Sequence, residues 1–178
     1  MQPFTPFPWF AVATIFALIV LNGLFAMCEL AIVSARRPRL QALIKTGRRG
    51  AATALKLQDD PSRLLSTVQI GITLISLLAG AFSGTVLERP VGERLAALGL
   101  PPGWAFAIVI VVTTYVSLII GELVPKQIAL RNPEPIAALV AVPMNGLAKA
   151  TAPIVWLLDR SSALIFRLLR LKRETDKH

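Results

Sequence analysis

Residues 104–126 read WAFAIVIVVTTYVSLIIGELVPK, and the first 21 of them, Trp104 to Val124, hold a single charge, at Glu122. As a helix rising about 1.5 Å per residue, such a stretch is long enough to cross a hydrocarbon core of about 30 Å. Two more stretches have the same character: Trp9 to Val33, 25 residues with one charge at Glu29, and Leu64 to Leu87, 24 residues with none. The chain therefore reads as an all-α integral membrane protein, a single transmembrane domain over 1–178 with spans at about 9–33, 64–87 and 104–124. The first span is the longest, and we expect it to tilt or to kink near Asn22 and Gly23.

Composition agrees with this reading. Of 178 residues, 54% are hydrophobic and 16% charged, and the apolar residues are gathered in blocks, unlike those of a soluble domain. One cysteine, Cys28, and one histidine, His178, leave neither a disulfide framework nor a Cys/His zinc site. Without a His, Cys or paired Asp constellation, no enzyme is expected. The opening MQPFTPFPWF lacks the positive flank of a signal peptide, and the apolar run behind it is too long for one, so we read it as a retained span. The net charge of +9 sits beside the apolar blocks, which points to anionic lipid headgroups and away from nucleic acid.

The basic residues also give a direction. Eight lie between spans one and two, from Arg36 to Arg63, and nine follow span three, from Lys126 to Lys177, whereas 88–103 holds only Arg89 and Arg94 against Glu88 and Glu93. The positive-inside rule then places the N-terminus outside and the C-terminus in the cytoplasm of a multi-pass protein of the cell membrane. The loop between the first two spans reads as two short helices around the GRRG turn at 47–50, with Asp60, Pro61 and Ser62 opening span two. From about 135 to 171 the chain is apolar but interrupted, and Lys149, Arg160, Arg167 and Arg170 recur near whole helical turns. That pattern predicts one juxtamembrane amphipathic helix lying on the cytoplasmic face, not a fourth span. The charged tail LKRETDKH leads us to expect a soluble domain further on.

Carboxylates inside a membrane cost free energy and require a partner. For Glu29 and Glu122 the partner is either a basic residue near the span's edge, Arg36 or Lys126, or a bound cation. Glu122 favours the cation because Pro125, three residues on, has no N–H and displaces the carbonyl four residues back, that of Gly121. A carboxylate beside a freed carbonyl in a broken membrane helix is a common way to build an oxygen site. Span two adds a stripe of Gln69, Thr73, Ser76, Gly80 and Ser83, at spacings of 4, 3, 4 and 3, that serves either close packing or ligation. Asn22 and Glu29 share a face of span one, and Thr114, Ser117 and Gly121 line one side of span three. The candidate metal ligands are thus Glu122, Gly121, Ser76, Thr73, Glu29 and Asn22, with Pro125 as the helix break. Oxygen donors without imidazole or thiolate select hard cations, Mg2+ or Na+.

LNGLFAMCELAIVSARRPRL (21–40), STVQIGITLISLLAGAFSG (66–84) and GELVPKQIALRNPE (121–134) together resemble the transmembrane domain of the CNNM/CorC magnesium transporters, including the hemolysin-C-like bacterial members. The resemblance runs from about Ala13 to Leu171. It implies a homodimer exporting Mg2+, coupled to Na+ entry, with Glu122 as the principal ligand and with nucleotide-binding CBS domains downstream in the cytoplasm. It also implies a serine in span one and asparagines in span two, where this chain has Ala26, Met27 and Cys28, and Ile72 and Ser76. The alternative function is a membrane anchor or sensor with a regulatory or vestigial cation site serving a CBS domain.

Overall fold

The computed structural model describes residues 5–169. Among them all regular structure is helical: α1 (Trp9–Ser34), α2 (Arg37–Lys45), α3 (Ala51–Asp59), α4 (Pro61–Ala97), α5 (Ala105–Leu118), α6 (Val124–Arg131), α7 (Pro133–Ala150) and α8 (Ala152–Leu168). A short 3-10 turn, Pro102–Trp104, leads into α5, and a π turn, Ile119–Leu123, joins α5 to α6.

Three segments among the described residues are each long and apolar enough to span a membrane, α1, α4 and the run Pro102–Arg131, and the bent pair α7 and α8 makes a fourth if it is counted as one broken span. The expected spans are therefore present, with differences at their ends. Helix α1 runs without a break through Asn22 and Gly23. Helix α4 runs ten residues past Leu87, through Pro90, to Ala97, so most of what read as a loop is helix. At 37 residues it is about 55 Å long, well beyond a hydrocarbon core of about 30 Å. Its charged last turns are held from outside, since Glu93 accepts from both the backbone N–H and the hydroxyl of Thr5. The helix stops at Gly99, whose φ of 76° needs no Cβ to avoid, and Leu100 N–H closes back on Leu95 O at 2.9 Å.

The GRRG turn connects α2 and α3 as expected, with positive φ at Gly47 and Gly50. A Cβ on Gly50 would strike the carbonyl of Ala138, which lets α3 lie directly on α7. Pro61 opens α4 behind Asp60.

The single surface helix expected over 135–171 is instead two helices, α7 and α8, bent by 62°. Pro153 explains the break: it cannot donate to Lys149 and its ring displaces that carbonyl. Thr151 at the corner donates its hydroxyl to Leu147 O and shares a 2.9 Å hydrogen bond with the buried hydroxyl of Thr67 on α4. Helix α7 packs one face against the bundle, burying Ala137, Ala138, Ala141, Met144 and Ala148, while Leu139 and Val142 on its other face stay exposed. Lys149 therefore sits on one helix and Arg160 and Arg167 on the other, so no single stripe forms, and Arg170 lies outside the described residues.

The core occupies one end of the bundle. Cys28, Ala31 and Ile32 of α1 meet Leu40 of α2, Ala54 and Leu57 of α3, Leu64 and Val68 of α4, Ala129 of α6, and α7. Two polar side chains close this end. Gln58 Nε2 donates to Ile32 O and Ala35 O, satisfying carbonyls left over at the end of α1. Glu134, only 5% exposed, accepts the Arg36 N–H ahead of α2 and pairs with Arg39 at 3.7 Å. Away from this end, Leu74, Leu77 and Leu78 of α4 and Val111, Val112 and Tyr115 of α5 face outward, as lipid-facing side chains do.

Candidate functional site

Pro125 shapes the third span as the sequence indicated. With no N–H on residue 125, the regular ladder skips, and Val124 N–H reaches back five residues to Ile119 O. The carbonyl of Gly121 is freed, but it is not left open. Asn22 Nδ2 of α1 donates to it at 3.1 Å, and Asn22 is 4% exposed. The expectation of an unpaired carbonyl is thereby corrected: a side chain 99 residues away in sequence fills the gap.

Glycines allow that approach. A Cβ on Gly23 would lie 2.8 Å from both Ile120 O and Pro125 Cγ, and one on Gly121 would lie 3.2 Å from Ile19 O. The backbones of α1 and the third span touch because neither residue carries a side chain there. Ser76 Oγ of α4 then donates weakly to Asn22 Oδ1 at 3.4 Å, so Asn22 connects all three spans.

A cavity of about 200 Å³ opens against this crossing. Its polar lining is Asn22, Ser76, Thr113, Thr114, Ser117 and Glu122, with Ile72, Ala79 and Gly80 among the remaining walls. Of the expected ligands the structure thus gathers Asn22, Ser76 and Glu122 around one space, with Gly121 behind them. Thr73 is not there. It is exposed, because the face of α4 turned to the cavity runs through residues 72, 76, 79 and 80 and not through 69, 73, 76 and 80. Glu29 is two turns along α1, half-buried, outside this lining and without a hydrogen bond or ion pair among the described residues.

Thr113 was missed by sequence reasoning, and the signal was a second hydroxyl beside Thr114 in an otherwise apolar run. Glu134 was also missed as a structural carboxylate, although Asn132 and Pro133 before it marked the start of a helix.

The carboxylate of Glu122 has a partner: Lys126 Nζ, one turn on, donates to Oε1 at 2.7 Å. Both side chains are partly open, 43% exposed for Glu122 and 36% for Lys126. Chemically the site offers one carboxylate, one amide and four hydroxyls. No group of three or more His, Cys, Asp or Glu side chains among the described residues could hold a metal. Such a set suits a hard cation or an ammonium group held by one charge and several neutral oxygens.

Comparison with known proteins adds an independent line. The family profile described as the cyclin M transmembrane N-terminal domain, CNNM, matches residues 13–178. A UPF0053 protein of Synechocystis sp. is 48% identical over 158 residues, covering 86% of this chain and 35% of that protein. A UPF0053 protein of Bacillus subtilis, YhdT, is 33% identical over 163 residues, 89% of this chain and 35% of its own. The polyamine export protein of Haemophilus influenzae is 29% identical over 164 residues, 90% of this chain and 38% of its own. The chain thus spans little more than a third of the length of these relatives.

Proposed function

Because the chain belongs to the CNNM family, we propose that it is a cation-transporting membrane domain that exports Mg2+, with Na+ entry as the coupling flux and Glu122 as the main ligand. One observation supports this reading above the others: the proline-induced π turn brings the Glu122 carboxylate and five neutral oxygen-bearing side chains around one cavity between three apolar helices. A dehydrating divalent cation takes six or more oxygens, and this lining can supply them together with water. Export is the direction that the family resemblance implies; the N-out, C-in orientation is proposed separately on the basic loops, in the cell membrane. We propose a homodimer through spans two and three, since the open faces of α4 and α5 would otherwise leave a polar cavity near lipid. Nucleotide binding would belong to CBS domains outside this chain.

A second reading has its own support. The group on Glu122 in this structure is a primary ammonium, that of Lys126, so the carboxylate accommodates an R–NH3+ head. One relative is named a polyamine export protein. An alkylammonium cargo is therefore the competing substrate class. An anchor or sensor with a vestigial site is the third.

Thermal unfolding of the purified domain, titrated with MgCl2, with spermidine and with choline chloride as control, separates them. Mg2+-specific protection that vanishes in Glu122→Gln supports the Mg2+ reading, and protection by spermidine alone moves the cargo to ammonium. Equal responses of both proteins to all three salts end both transport readings. Mg2+ flux in liposomes with and without a Na+ gradient tests the coupling.

A further inference from the structure

The ion pair at the edge of the cavity is made by two side chains of the same helix face, of which only Glu122 lines the cavity. We infer that Lys126 is a tethered competitor of the cargo: its ammonium occupies Glu122 while the cavity holds no cation and leaves when one arrives.

The inference deepens the proposed transport reading and rests on it. Three observations carry it. Lys126 Nζ lies 2.7 Å from Glu122 Oε1, and Glu122 itself lines the cavity. No other described group makes a hydrogen bond or ion pair with either side chain. The ammonium is therefore what neutralises the carboxylate, and a second cation on the same carboxylate would sit against it as a like charge. Both side chains are about two-fifths exposed, so the pair is not locked by packing and can separate without disturbing the core. The lysine stem is flexible and its side chain is 36% exposed, so the ammonium can leave Oε1 without displacing a packed neighbour.

The arrangement has a functional consequence. A carboxylate without a counter-charge inside a membrane is costly, and a site that had to release its cargo into that state would hold on to it. A resident ammonium removes this penalty, so release is an exchange of one cation for another. Binding is weakened by the same amount, which sets the cargo concentration at which the site fills.

Two measurements on the purified domain test this. In the first, MgCl2 is titrated against thermal unfolding of wild type, Lys126→Met, Lys126→Gln and Lys126→Arg, with spermidine and choline chloride alongside. Removing the ammonium should lower the half-saturating concentration by about fivefold, the upper end of what a partly exposed ion pair contributes. Lys126→Arg should stay near wild type. In the second, acylation of Lys126 by an amine-reactive reagent is followed by peptide mass spectrometry. It should speed up when MgCl2, or spermidine, is added and not with choline chloride.

If wild type responds to Mg2+ or spermidine but neither charge-removing variant binds more tightly, or Lys126 labelling does not change, the competitor role is overturned and the transport reading stands. If no variant responds to any cation beyond choline, the transport reading falls and this inference falls with it.

Discussion

Asn22 and Gly121 are joined by a hydrogen bond of 3.1 Å from the amide of the first span to a carbonyl that Pro125 has released in the third. A buried carbonyl deprived of its helical partner costs on the order of 1–3 kcal/mol if nothing replaces the lost bond. Asn22→Leu should therefore destabilise the domain by about that amount, read as a lower melting temperature in detergent. Ser76→Ala, which removes only a 3.4 Å contact, should cost under about 0.5 kcal/mol.

Gly23 makes the same crossing possible by having no side chain. Gly23→Ala places a methyl 2.8 Å from Ile120 O, a backbone atom unable to move aside, and 2.8 Å from Pro125 Cγ. Overpacking of this kind costs about 1–3 kcal/mol. Gly146→Ala, in the interior of α7 with nothing within 4 Å of the added carbon, should instead stabilise by about 0.5–1 kcal/mol. Opposite shifts in melting temperature are the expected result, and equal shifts would contradict the close approach.

Leu40 is fully buried where α2 meets the core, whereas Leu139 of α7 is 74% exposed. Leu40→Ala should cost about 2–5 kcal/mol, and Leu139→Ala less than about 0.5 kcal/mol. Unfolding in denaturant with matched detergent gives both values.

Glu93 lies beyond the apolar stretch 64–87, on the charged last turns of α4. Hydrogen bonds donated by the hydroxyl and the N–H of Thr5 hold its carboxyl below the ordinary value of 4.5, with Arg89 assisting. A carboxyl lowered on folding stabilises the folded state above its ordinary pKa, and that contribution is lost as pH falls through the folded value. Melting temperature should therefore drop more steeply below about pH 4.5 in wild type than in Glu93→Gln, and parallel curves would remove Glu93 from the account.

Much of the fold was legible because it depends on local pattern. Apolar runs of 21 to 25 residues placed three spans, and GRRG and Asp60-Pro61 marked where short helices end and a long one begins. Pro125 identified the irregular turn in the third span from chemistry alone. What remained hidden depends on how helices are rotated and crossed. Nothing near Gly121 says that Asn22 will take its carbonyl, since that needs the Gly23 contact. The rotation of α4 exchanged Thr73 for Ile72 at the cavity, a change of one position. Pro153 was present in the sequence as a break signal, but the spacing of the basic residues across it argued for continuity. Nothing local marks Glu134 for burial, and only tertiary packing buries it.

The π turn at Ile119–Leu123 also fixes the phase of everything around it. A π turn counts as one extra residue in a helix, and one residue is worth about 100° of rotation about the axis. Thr113, Thr114 and Ser117 stand before that slip, and Glu122 and Lys126 within and after it. The hydroxyls and the carboxylate share a cavity at the pitch set by the slip. A third span tightened to regular α geometry would keep every side chain and swing the two groups out of register, like a key cut correctly on a blank turned by a quarter.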